Sequence, residues 1–162
     1  MLGPFDEITV GDSASIERTL TLEDIQLFAL MSGDMNPQHL DAEFAASTRF
    51  HGLIAHGMWG ATLISAVLGT RLPGPGTIYL EQTLRFRAPV RIGDTLVISV
   101  TVVARDSARH VLTLACSCTN QRGEAVIDGE ASVLAPTERI ERPSATLPEV
   151  RLCAGGGIGA FA

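Results

Sequence analysis

The stretch Gly52-Leu53-Ile54-Ala55-His56-Gly57-Met58-Trp59-Gly60-Ala61-Thr62-Leu63-Ile64-Ser65-Ala66-Val67-Leu68-Gly69-Thr70 contains no Asp, Glu, Lys or Arg. Its length approaches that of a bilayer span, which takes about 20 residues. His56, Thr62, Ser65 and four glycines dilute it, however, and Arg71 and Pro73 end it. A helix that opens at His56-Gly57-Met58, runs to about Leu68 or Gly69 and is buried on all sides accounts for these residues better than a membrane span. Such a helix has no polar face to offer water, so other elements must cover it.

The residues that follow can provide that cover. Leu72-Pro73-Gly74-Pro75-Gly76 is a strong breaker. Beyond it the period changes from helix to strand. Ile78, Leu80, Gln82, Leu84 and Phe86 alternate with Tyr79, Glu81, Thr83, Arg85 and Arg87, the pattern of a half-buried strand. Pro89 and Gly93-Asp94 mark a turn, and residues 95–105 read as the next strand. Ser107 to Arg109 turn the chain into a third, His110 to Thr119. Gln121-Arg122-Gly123-Glu124 is a hairpin signal before a fourth, Ala125 to Leu134. Strands in succession imply an antiparallel sheet. A sheet curling about one long helix is an α+β arrangement, and a second copy of the chain could complete the cover.

Upstream, residues 7–20 alternate loosely and read as a short first strand. Thr21-Leu22-Glu23-Asp24 has the form of a capping box. Ile25, Phe28 and Ala29 follow at helical spacing, and Gly33 is the expected stop. Asn36 is suited to cap a new helical turn with Pro37 at its first position. Asp41 is placed to cap another short helix, Ala42 to Ser47. His51 to Ala55 reads as a connection.

Composition narrows the function. Hydrophobic residues are 46% of the 162, enough for a core, and charged residues only 19%. That charged share is below the roughly 25% usual for soluble domains, which points to surface hidden against another copy. The net charge is −6 with no basic run, which argues against nucleic-acid binding, since that rests on clustered Lys and Arg. Cys116, Cys118 and Cys153 are too few and too irregular for a disulfide framework or a zinc finger. Cys116 and Cys118 read as small buried residues on one strand face. Met1-Leu2-Gly3-Pro4-Phe5-Asp6-Glu7 has neither the basic region nor the apolar run of a signal peptide, so the expected compartment is the cytoplasm.

Two places carry candidate chemistry. Asp34 and His39 lie five positions apart across a turn containing Pro37. A carboxylate and an imidazole converging there could hold and activate a water molecule. Taken alone, the segment reads better as turn residues, Asp34 and Asn36, with His39 an exposed polar side chain. His56-Gly57 opens the long helix, whose unpaired N–H groups and positive dipole end can stabilise a developing oxyanion. Glycine there also suits simple packing of helix on sheet. Ser65 lies about 13 Å further along the ideal helix. Its hydroxyl can bond its own backbone or reach an active-site group.

Ser32-Gly33-Asp34-Met35-Asn36-Pro37-Gln38-His39-Leu40-Asp41, Ile54-Ala55-His56-Gly57-Met58 and the following Leu63-Ile64-Ser65 resemble the MaoC-like, (R)-specific enoyl-CoA hydratase family. So do the run from Tyr79 to Val90 and the Gly93-Asp94 turn. The resemblance spans roughly residues 5 to 135 and shows no departure at the motif positions. It implies a hot-dog fold over residues 1–136, usually paired into a homodimer; outside the resemblance, Pro143, Pro148 and Gly155-Gly156-Gly157 read as a flexible tail, 137–162. It implies that Asp34 and His39 are the catalytic pair and that Gly57 supplies the oxyanion N–H. Asn36, Ser65 and His56 are then supporting residues.

The reaction implied is reversible addition of water to a trans-2-enoyl-CoA thioester. No metal or redox cofactor is required, and coenzyme A arrives as part of the substrate. Arg85 and Arg87 share a polar strand face, but the sequence does not name the arginines that would meet its phosphates. A hot-dog thioesterase and a non-catalytic acyl-thioester-binding subunit are the alternatives. The D-x-N-P-x-H pattern and the retention of Asp34, His39 and Gly57 together favour the hydratase.

Overall fold

A computed structural model describes residues 4–153. The chain runs through β1 (Ser13–Thr19), α1 (Leu22–Ser32), α2 (Pro37–Leu40), α3 (Ala42–Ser47), α4 (Gly57–Thr70), β2 (Ile78–Phe86), β3 (Thr95–Asp106), β4 (Val111–Thr119) and β5 (Ala125–Leu134). The strands form one antiparallel sheet in the order β1-β3-β4-β5-β2. α4 packs against β1, β2 and β3. This is the α+β, hot-dog arrangement that the resemblance implies. Among the described residues no helix is long and apolar enough to cross a membrane.

Local chemistry sets the helix limits. Thr21 accepts from the Asp24 N–H at 3.2 Å, and Asp24 accepts in return from the Thr21 N–H at 3.0 Å, completing the capping box. Asn36 and Asp41 cap α2 and α3 by accepting from Gln38 and Phe44. Trp59, Gly60, Leu63, Ile64, Val67 and Leu68 form the buried stripe of α4. Facing them are Leu96, Ile98, Val100 and Val102 of β3 and Leu112, Leu114, Cys116 and Cys118 of β4.

Three expectations change. α4 is not buried on all sides within one chain: Met58, Thr62, Ser65, Ala66 and Gly69 lie on an exposed face. β2 is not half buried either. It is an edge strand paired with β5, and all its residues are exposed apart from Gln82 and Leu84, which are partly covered. The first strand is only Ser13–Thr19, because Phe5–Glu7 forms a 3-10 turn and Gly11 turns the chain at φ 98°.

Two features tie the periphery down. Asp94 is buried, accepting from the Arg91 N–H at 2.9 Å and Gln121 Nε2 at 2.7 Å, with Arg122 at 3.4 Å. Burial alone would raise its carboxyl pKa, but the bonds from Gln121 and Arg91 and the Arg122 charge hold it below the usual range. After Leu134 the described residues form no regular element. Even so, the Phe5 N–H donates to the Pro136 carbonyl at 2.8 Å, and Arg139 pairs with Glu7 at 2.7 Å. The start of the expected tail thus lies against the domain, while its end, 154–162, is outside the described residues.

Candidate active site

Gly33, at φ 76°, lets the chain leave α1 in the left-handed region and releases Asp34 into a tight turn. Ser32 Oγ accepts from the Asp34 N–H at 3.1 Å, and Asp34 Oδ1 accepts from the Asn36 N–H at 3.2 Å. Asn36 Oδ1 in turn accepts from the Gln38 N–H at 3.1 Å, so this side chain starts the short helix that carries His39. Asp34 remains exposed. His39 is turned inward and keeps only 9% of its exposure, so it is not the surface histidine that the turn alone would suggest.

Both candidate histidines have a defined proton position. His39 Nδ1 lies 2.8 Å from the Ile54 carbonyl. A carbonyl only accepts, so Nδ1 carries the hydrogen and Nε2 keeps a basic lone pair. Ile54 is itself fixed by its bridge to Arg91, and the next N–H, of Ala55, donates to Val90 at 2.9 Å. His56 Nε2–H donates to the Asp34 carbonyl at 2.9 Å. The two imidazoles stack with centroids 3.9 Å apart, and Phe28 lies 4.7 Å from the His56 ring.

One donor atom each from Asp34, His39 and His56 lie within 4.8 Å of one another. That spacing would admit a divalent cation, but the ring nitrogens bonded to the Ile54 and Asp34 carbonyls carry hydrogens and cannot ligate, and the remaining nitrogen of His56, Nδ1, is buried with no partner. The arrangement is better suited to holding a water between the Asp34 carboxylate and an imidazole.

A cavity of about 250 Å³ opens beside these groups, lined among others by His39, His56, Gly57, Phe86, Val90 and Ile127. The Gly57 N–H is the first of α4 and has no acceptor within the helix. A Cβ at Gly57 would meet the Phe86 ring at 2.9 Å, so glycine is what lets the ring lie over the helix start. Arg87 lines the cavity and pairs with Asp128 at 2.9 Å, and Arg49 lines it too. Arg85 is exposed and is not among the lining residues.

The structure therefore brings together Asp34, His39, His56 and Gly57 and uses Asn36 as the cap that orients α2. Ser65 stands apart, exposed on the open face of α4. Sequence reading missed Phe28, Arg49, Phe86 and the Ile54 carbonyl. Phe28 and Phe86 were assigned to elements by their spacing, but no local signal reveals which histidine or glycine they meet.

Comparison with known proteins shows the family. The family described as MaoC like domain matches residues 9–118. An (R)-specific enoyl-CoA hydratase of Rhodospirillum rubrum is 50% identical over 132 residues, 82% of this chain and 91% of that protein. A 3-hydroxybutyryl-CoA dehydratase of Methylorubrum extorquens is 47% identical over 141 residues, 87% of this chain and 89% of that protein. Among solved structures, the unliganded R-hydratase PhaJ1 of Pseudomonas aeruginosa superposes with a TM-score of 0.88 at 46% identity, covering 92% of this chain and 96% of that one.

Proposed function

Starting from a chain that belongs to the MaoC-like domain family, we propose that it catalyses reversible hydration of a trans-2-enoyl-CoA to the (R)-3-hydroxyacyl-CoA. It is accordingly a hydro-lyase, as the names of its relatives at 47–50% identity indicate. The observation that carries the mechanism is the fixed tautomer of His39: its Nδ1–H is held by Ile54, which leaves Nε2 with a basic lone pair on a ring that has one nitrogen within 4.8 Å of an Asp34 carboxylate oxygen.

Asp34 and His39 hold one water between them. As its oxygen bonds to C3, the pair takes up a proton and a proton passes to C2 on the same face. Electron density moves onto the thioester oxygen, where the Gly57 N–H and the positive end of α4 stabilise it. The scheme uses no metal or redox cofactor, and coenzyme A enters as part of the substrate. Arg49 and Arg87, beside the cavity, are the cations best placed for its phosphates.

The protein is further assigned to the cytoplasm, where its three free cysteines suit a reducing compartment. A homodimer is supported by two exposed surfaces, the open face of α4 with Met58 55% exposed and the β2 edge with Ile78 and Leu80 exposed. Ser65 lies on the first of these surfaces, so any support it gives the site belongs to the assembled protein. Light scattering should return twice the mass of one 17.2 kDa chain, and a monomer would overturn the assignment.

The function itself is tested with crotonyl-CoA. Enzyme should lower the enoyl absorbance without releasing free thiol, and chiral analysis should find the (R) product. Thiol release would select a thioesterase instead, and binding without turnover would select an acyl-thioester-binding subunit.

A further inference from the structure

His56 precedes Gly57 at the start of α4, yet its side chain makes no capping hydrogen bond. Its Nε2–H instead reaches the Asp34 carbonyl, 22 residues back, while the ring stacks on His39. The residue is 3% exposed, and its Nδ1 is buried with no partner. A buried acceptor without a donor costs stability, and an apolar side chain would avoid that cost. The contacts His56 does make are therefore the feature to explain.

We propose that His56 is a positioning residue for the Asp34/His39 pair, fixing the Asp34 main chain through Nε2–H and bracing the His39 ring by stacking. This rests on the hydratase reading for what the pair does, while the geometry stands without it. Each contact meets a specific need. The single bond from His39 Nδ1 to Ile54 sets the tautomer but leaves the ring free to swing about that bond, and a stacked neighbour stops the swing. Asp34 is on an exposed turn, and the bond to its carbonyl ties that turn to the base of α4. Because Gly57 is the next residue, one side chain sets the spacing between the oxyanion donor and the water-holding pair. Active groups must be held to about 0.5 Å, and an error of 1 Å can cost on the order of 10²-fold.

The state of the ring suits this role. Burial, and the His39 ring beside it, hold His56 below the usual histidine range, although the bond to Asp34 pulls the other way. A neutral ring with hydrogen on Nε2 donates to Asp34 and adds no positive charge beside the pair that takes up the proton.

Two substitutions separate the contacts. His56→Phe keeps a ring to stack and deletes the donor; His56→Gln keeps an N–H near the Nε2 position and deletes the ring. Each should lower kcat for crotonyl-CoA about 10- to 100-fold with KM within about threefold. On a His39→Gln background the same changes should cost little more, because residues acting as a unit are not additive. Wild-type kcat in both single variants, or fully additive losses, would overturn the proposal. The ¹⁵N resonances of the His39 imidazole give a readout that needs no turnover. They should shift and broaden in His56→Phe, and unchanged resonances would equally overturn the role. Absence of hydration by the wild-type protein would instead defeat the hydratase reading and leave this resonance test to decide.

Discussion

Asp34→Asn and His39→Gln should each lower kcat for hydration of crotonyl-CoA by roughly 10²–10⁴-fold, the range that general acid–base groups contribute. The two changes act differently. Asparagine retains an oxygen that can accept from the Asn36 N–H, now at 3.2 Å, so the turn keeps its shape while the charge is lost. Glutamine can still donate to Ile54 but has no second nitrogen with a basic lone pair. The melting temperature of Asp34→Asn should stay within about 4 °C of the wild type, the shift produced by roughly 1 kcal/mol in a chain of this size. The double variant should be little worse than either single one, as expected of groups sharing one water. Steady-state kinetics with circular dichroism melting checks each point, and full activity in both single variants would remove Asp34 and His39 from the mechanism.

The second large effect concerns the fold. Gly129 of β5 faces Leu84 of β2 in the ladder, and a Cβ there would fall far inside contact distance of the Thr83 carbonyl oxygen. That obstacle is backbone, so no side chain can swing aside to relieve it. Gly129→Val should cost about 3 kcal/mol or more, the upper end of the overpacking range. At 2–4 °C per kcal/mol this lowers the melting temperature by about 6–12 °C. The damage should also reach the site, because β2 carries Phe86 toward the cavity and Arg87 follows it. A variant melting within about 2 °C of the wild type would show that the two strands can separate at this point without cost.

The contrast between local and distant information explains what the sequence discloses. Thr21 with Asp24, Asn36 with Pro37, and Asp41 act on their own neighbours, so those helix starts are readable directly. The turns at Gly93-Asp94 and Gln121 to Glu124 are of the same kind, and β5 spans the residues expected of it. The candidate site was legible as two separate segments, and the family resemblance joined them. What joins them physically is a bond from Nε2 of His56 to the Asp34 carbonyl and one from Nδ1 of His39 to the Ile54 carbonyl. Backbone acceptors leave no mark in the residue pattern. The exposed faces of α4 and β2 were misread for a related reason: an apolar residue that stays exposed and one that faces the core look the same in the sequence.

The strand order also sets a sequence of events as the chain is made. β3, β4 and β5 follow one another and can pair through short connections, where closing a loop is cheapest in entropy. β2 is synthesised before all three but pairs with β5, the last strand to emerge. Until then Ile78, Tyr79, Leu80 and Phe86 lie on a strand with no sheet to join. The wall that Phe86 builds beside Gly57 is therefore finished only after β5 has left the ribosome, and the cavity gains its shape at the end of folding.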